Sequence, residues 1–207
     1  LVGGDGVQSA SFGAHWFHLE RQLELPFTPI LLGDLARLDL SRYDVIILPE
    51  TSGSLPNNAR EALQEWVRDG GILVAVGAGA ESVTSIAEIE IREAGEDQDE
   101  ADSLDRLLAT REEREREEWE QEIPGAIFEV RLDPGHPLAW SATADGVPER
   151  TFVLHTGGRV FEPREGSETV AHFPANLRPT SGDVSKGNLV RMERSAWLIT
   201  RDVGAGR

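Results

Sequence analysis

The sequence predicts an α/β protein: a flavodoxin-like open parallel sheet with helices on both faces, a charged helical insertion and a strand-rich C-terminal part. Three observations carry that expectation. Residues 44–49 and 72–76 are uninterrupted apolar runs, as strands buried on both faces of a parallel sheet require. An amphipathic helical pattern lies between them, so strand, helix and strand follow at the lengths of a crossover unit. After Pro124-Gly125 the pattern shortens to strands separated by turns such as Asp133-Pro134-Gly135 and Gly157-Gly158.

In chain order, Leu1-Val2 reads as the tail of a strand and residues 3–6 as a glycine-rich turn. A helix is expected over 9–23, because Phe12, Trp16, Leu19 and Leu23 recur at helical period and make one apolar stripe. Pro26 closes the connection to a short strand over 28–32. Ser54 and Pro56 fit the start of the next helix, a cap followed by a first-turn proline. Its buried face is Ala59, Ala62, Leu63, Trp66 and Val67, and Gly70-Gly71 stop it. The strand over 72–76 then lands on Gly77-Ala78-Gly79-Ala80.

From about 99 to 121 the sequence predicts a charged helix. Leu104, Leu107 and Leu108 offer a docking stripe. Beyond them stand the i,i+4 pairs Arg111/Glu115, Glu112/Arg116 and Arg114/Glu118, with Trp119 alone apolar. Short strands are expected over 126–132, 151–155, 159–161, 169–173 and 196–201. No repeat or low-complexity linker divides the chain, so the reading is one domain over 1–207 with an acidic insertion at about 88–122.

Composition narrows function. The 207 residues hold 20 basic and 37 acidic side chains, a net charge of -17. That surface repels nucleic-acid backbones and anionic membranes, so no nucleic-acid partner is expected. No apolar run approaches the roughly 18 residues of a membrane span, so no membrane insertion is expected. Residues 88–122 carry 16 acidic side chains against 5 arginines, so most of the imbalance belongs to one segment. Lys186 is the sole lysine. The absence of cysteine excludes disulfides, thiolate zinc sites and cysteine nucleophiles. The start, Leu1-Val2-Gly3-Gly4, has neither methionine nor a basic leader region, which suggests a piece of a longer chain.

Several motifs invite chemistry. Gly4-Asp5-Gly6-Val7-Gln8-Ser9 is half of a phosphate-cradling GxGxxG loop. Its third glycine is replaced by Ser9 and no acidic residue stands about 20 positions on, so a tight strand-to-helix turn is the better reading. His15 and His18 lie near Glu20, but the spacing is not that of a zinc peptidase. His136, between two prolines, reads as a turn residue; His155 and His172 fall in strands without a recognisable partner. Ser52 and Ser54 flank Gly53 at a strand end, yet Glu50-Thr51-Ser52-Gly53-Ser54 is not a GxSxG elbow.

The informative place is 71–82. A strand that ends in a small-residue turn and leads into a helix has the geometry of a nucleophile elbow, where helix-terminal amides could hold an oxyanion. The segment resembles the elbow of the class I glutamine amidotransferase and PfpI-protease superfamily, in which the strand leads into A-I-C-x-G-P with cysteine as nucleophile. The match puts Gly77 where the cysteine stands. The resemblance therefore implies a site without covalent catalysis.

A narrower resemblance rests on five pieces in order: "GDGVQSASFGAHWF", "LDLSRYDVIILP", "LQEWVRDGGILVAVGAGA", "DPGHPLAW" and "RSAWLITRDVGAGR". Together they are similar to the amidotransferase-like domain found C-terminal to the catalytic domain of large bacterial zinc carboxypeptidases. The resemblance implies a catalytically silent accessory domain with a structural or binding role, in a secreted or periplasmic protein and a fragment at both ends here. Its partner would be the peptidase domain of the same parent chain or another subunit. The zinc-binding HxxE and catalytic glutamate of such a peptidase lie outside this segment. No catalytic residue, metal ligand or cofactor is therefore expected here, with zinc only in the parent peptidase domain. The crevice at the strand C-termini leaves Asp5, Glu50, Ser52, Gly77 and Glu81 as candidate binding residues. The alternative is a small-ligand-binding module or a stand-alone hydrolase using that same crevice.

Overall fold

The computed structural model describes residues 1–92, 109–113, 123–140, 149–157 and 159–207. They form two compact units, Leu1–Ile89 with Arg201–Arg207, and Glu90–Thr200. Each unit has its own apolar core. Most of the expected acidic helix lies outside the described residues, including Leu104, Leu107, Leu108 and Trp119; residues 111–113 are helical.

The first unit is α/β with parallel strand pairs. Strand β1 (Val2–Gly3) pairs with β2 (Ile30–Leu31), and β3 (Val45–Leu48) pairs with β4 (Ile72–Ala75) from Val45↔Ile72 to Leu48↔Ala75. Three helices accompany them: α1 (Ser9–Phe17), α2 (Asn57–Arg68) and α3 (Ala78–Ala87). The apolar period of α2 does what the sequence asks. Ala59, Leu63, Trp66 and Val67 are buried in one core with Ile46 and Leu48, while Glu61 and Glu65 face water. Helix α2 starts after Pro56 rather than at Ser54. At its end Gly70 takes φ +119, the Gly71 amide donates to Trp66 O at 3.0 Å, and any Cβ on Gly71 would overlap the Trp66 indole. The Trp66 Nε1–H donates to Tyr43 O at 3.1 Å, so the largest side chain of the helix has its polar edge satisfied.

Two expectations need correction here. Strands β3 and β4 are covered on one face, not two: Ile46 and Leu48 are buried, whereas Val45, Ile72 and Val74 are 43–48% exposed. An apolar run does not say how many faces are covered, and α1 lies against β1, where Phe12 packs on Gly3. The stripe on the first helix is likewise not a buried face. Helix α1 gives way to a wider π-turn over His18–Gln22, closed by Leu23 N–H to His18 O, and this breaks the phase of Leu23 with Phe12 and Trp16. Trp16 instead packs at a tilt on Phe12 and meets Phe27 edge-on. The strand expected over 28–32 shrinks to β2, because Leu32–Arg37 turns into a 3-10 helix.

The second unit is built on an antiparallel sheet. Its strands are β5 (Ile91–Arg92), β6 (Ala126–Leu132), β7 (Arg150–His155), β8 (Val160–Phe161), β9 (Ser167–His172), β10 (Pro179–Ser181) and β11 (Ala196–Arg201). The order is β10-β6-β9-β11-β8-β5, with β7 also paired to β6 from Ala126↔His155 to Arg131↔Arg150. The inward residues of β6, namely Ala126, Phe128 and Val130, alternate with Ile127 and Glu129. Phe128, Val130, Val153, Val160, Ala171 and Phe173 make the core, closed by Met192 of helix α4 (Lys186–Met192). Ser185 caps that helix, its Oγ accepting from the Asn188 amide at 3.2 Å.

Candidate functional site

Three chain segments converge beyond the C-terminal ends of β1, β3 and β4. The turn after β1 donates Gln8 N–H to Glu50 O at 2.8 Å and accepts at Gly6 O from Ser52 N–H at 2.9 Å, so residues 6–8 and 50–52 pair as a short antiparallel bridge. Ser11 of α1 accepts at Oγ from the Glu50 amide at 3.1 Å. Thr51 is buried, and its hydroxyl lies 2.8 Å from Gly53 O and 3.3 Å from Ala78 O. It ties the loop after β3 to the elbow after β4.

The elbow itself is Gly77, with φ 53 and ψ -131. That positive-φ conformation costs an L-residue of order 1–3 kcal/mol. It turns the chain sharply from β4 into α3, the shape the sequence suggested. A Cβ placed on Gly77 would stand 2.5 Å from Glu50 Oε1 and 2.6 Å from Glu50 Cγ. The Glu50 side chain thus fills the room a nucleophile would need. Gly79 is required for a different reason: any Cβ there would overlap the Pro49 carbonyl oxygen. The amides of Gly79, Ala80 and Glu81 donate to Val76 O and Gly77 O at 2.9–3.3 Å, so these three helix-terminal donors are spent within the turn.

The five candidate binding residues therefore meet unequally. Glu50 and Gly77 touch, Ser52 is exposed and held by its backbone to Gly6, Asp5 is exposed in the adjoining turn, and Glu81 lies in the first turn of α3. Sequence reasoning missed Ser11 and Thr51. Their signal was only a hydroxyl at a loop or a helix start, which has many uses. The other candidate groups are engaged locally: His15 Nδ1 lies 2.7 Å from Ser11 O, and His18 pairs with Gln22 one turn on. Among the described residues no three His, Asp or Glu side chains stand together as a metal site.

The second unit holds polar groups that nothing in the sequence connects. His136 is buried; its Nδ1 accepts from the Leu138 amide at 3.1 Å and its Nε2 lies 3.3 Å from Glu168 Oε2, which also takes the Thr200 hydroxyl. It is the turn residue expected, but a buried one that caps a 3-10 turn. His155 sits edge-on to Phe128 and Phe173, at ring separations of 6.4 and 5.5 Å. Burial, and then the charge of Arg191, push its pKa down to about 4. Burial and Arg131 likewise lower that of His172.

Neither a protein-family profile nor a characterised protein sequence matches this chain. Solved structures do. A glutamine amidotransferase from Thermotoga maritima superposes over 97% of this chain and 70% of its own, with a TM-score of 0.56 at 9% identity. A GMP synthase component from Thermoplasma acidophilum covers 88% and 78%, with a TM-score of 0.50 at 9% identity. A β-galactosidase from Bacillus circulans sp. alkalophilus matches 97% of this chain over 24% of its own, with a TM-score of 0.52 at 12% identity. The chain has a class I glutamine amidotransferase-like fold.

Proposed function

We propose that this chain is a catalytically silent amidotransferase-like module with a structural or binding role, an accessory domain of a zinc carboxypeptidase-type metallopeptidase. The observation that carries the silent half of this reading is Gly77. It keeps the backbone of a nucleophile elbow without a side chain to attack with, and Glu50 takes up the adjacent space. The accessory half is supported by the order of the five sequence pieces resembling the carboxypeptidase-linked domain. It is also supported by the fold's occurrence as about a quarter of a longer β-galactosidase chain.

Purified protein is expected to release no ammonia from glutamine and to cleave no C-terminal residue from peptides, with or without added zinc. A serine-directed fluorophosphonate probe should label nothing at Ser52. Turnover that co-purifies with the chain and is lost on Ser52→Ala would overturn the silent reading. An accessory role further predicts that the chain binds a peptidase domain encoded in the same reading frame. A reading frame without such a domain would end that part of the proposal.

A further inference from the structure

We infer that β7 of the second unit is a docking edge for an extended acidic peptide. The peptide adds to the sheet as an antiparallel strand, with a carboxylate opposite Arg150 and apolar side chains opposite Phe152 and Leu154. Among the described residues β7 pairs with β6 alone, so its other side is a sheet edge. One bond fixes the phase of the ladder: Leu132 N–H donates to Glu149 O at 2.9 Å. Bonded and non-bonded pairs alternate along an antiparallel ladder, so Thr151, Val153 and His155 turn their backbone groups to β6. Arg150, Phe152 and Leu154 turn theirs to the edge. The same three residues point their side chains to the solvent face, where Phe152 is 62% and Leu154 66% exposed. Natural edges are guarded by lysine, proline or a bulge; β7 contains neither residue and pairs with β6 in unbroken register.

The charges on this face select the peptide. Arg150 stands opposite Arg131 in a non-bonded pair, the closer kind, with Cα atoms about 4.5 Å apart. Like charges so placed repel. Glu129 answers one of them, its Oε1 lying 3.4 Å from Arg150 Nη1. Asp133, just past β6, turns its Oδ1 back to the Gly135 amide at 2.9 Å, and Arg131 has no ion pair among the described residues. A strand laid along β7 with Asp or Glu opposite Arg150 supplies the negative charge this rung lacks. Steps of about 7 Å along the edge lead to Phe152 and then Leu154, with Ile127 beside Leu154, an apolar stretch for two alternate side chains. From N to C the occupant is apolar, any, apolar, any, acidic. A second copy of β7 fits less well. Paired antiparallel, it can bring only Arg150, Phe152, Leu154 or Thr156 opposite Arg150, and none is a carboxylate. The inference is independent of the reading of the elbow, which lies in the other unit.

The probe is the end-blocked peptide TLTVTET, labelled with fluorescein and titrated into the full chain. Its leucine, valine and glutamate fall opposite Leu154, Phe152 and Arg150. Saturable binding is the expected result, with the amide signals of Phe152 and Leu154 shifting in NMR spectra. N-methylation of the peptide valine removes a backbone donor, leaves every side chain and should abolish binding by strand addition. The peptide TLTVTKT should bind about tenfold more weakly, attraction at Arg150 being exchanged for repulsion. Phe152→Thr, at an exposed position and with strand preference kept, should weaken binding of the parent peptide. Absence of saturable binding would overturn the inference, and so would equal binding of either altered peptide or equal binding by Phe152→Thr. A dimer in sedimentation that Phe152→Thr dissolves, without peptide binding, would overturn it in favour of a second copy at this edge.

Discussion

The elbow in the first unit and the aromatic cluster in the second treat polar groups in opposite ways. At the elbow the chain answers itself: Gln8, Ser52 and Glu50 exchange backbone bonds with the neighbouring loops, Thr51 reaches Ala78, and Glu50 fills the gap over Gly77. At the aromatic cluster Arg191 and His155 keep buried nitrogens unmatched. A place shaped like a catalytic elbow has thus been closed by its own side chains. A place without any familiar motif keeps buried nitrogens that no hydrogen bond meets. Shape inherited from a fold and demand for a partner are separate properties, and only unsatisfied groups report the second.

The sharpest way to break the comparison is to disturb the elbow's backbone fit. Gly79→Ala forces a methyl group into the Pro49 carbonyl, which belongs to the chain leaving β3 and cannot rotate away. The expected loss is about 3 kcal/mol, at the upper end of overpacking costs. Urea unfolding of the variant measures it. A loss below about 0.5 kcal/mol, the size of an ordinary surface change, would mean that the two loops are not held together as described.

The second test concerns the aromatic cluster and its pH dependence. Burial holds the folded-state pKa of His155 at about 4, below the ordinary 6.5 that it regains on unfolding. Between those values the unfolded chain binds the extra proton, so stability rises as pH climbs from about 4 to 6.5 and this group adds no slope above that. The whole effect is on the order of 3 kcal/mol from the size of the shift. His155→Phe should flatten that part of the curve relative to wild type, while the contribution of the many carboxylates remains in both. Identical slopes would show that the imidazole is hydrated in the native state.

Much of the first unit could be read from the sequence, because its signals are local. Helix α2 has Leu63, Trp66 and Val67 at helical period and glycine at its end, and β3 and β4 are short apolar runs on either side of it. The elbow was legible for the same reason: strand, small residues and helix lie within a dozen positions. One-sided coverage of β3 and β4 was not, since it depends on where α1 docks and not on the composition of the strands. Nor was Glu50 over Gly77, a long-range contact set by one rotamer. His155 and Arg191 stand far apart in the chain, on a strand and a helix. Each is ordinary in its own window, and only the fold leaves nitrogens of both buried without partners.

The smallest expected effect divides the strain at Gly77 from the crowding by Glu50. Alanine at 77 meets two obstacles: a φ of 53 with ψ -131, costly for any side chain, and the Glu50 carboxylate in the space of its methyl group. The backbone part is constant, of order 1–2 kcal/mol, but Glu50 is the end of a flexible side chain and can swing toward solvent. Gly77→Ala alone should therefore cost about 2 kcal/mol, and Glu50→Ala in the same protein should recover roughly 0.5 kcal/mol of it, a coupling of the size expected for residues in contact. Chemical denaturation of the two single variants and the double variant gives that coupling directly. If the losses simply added, Glu50 would not occupy the elbow, and the ground for calling the site closed would fall with it.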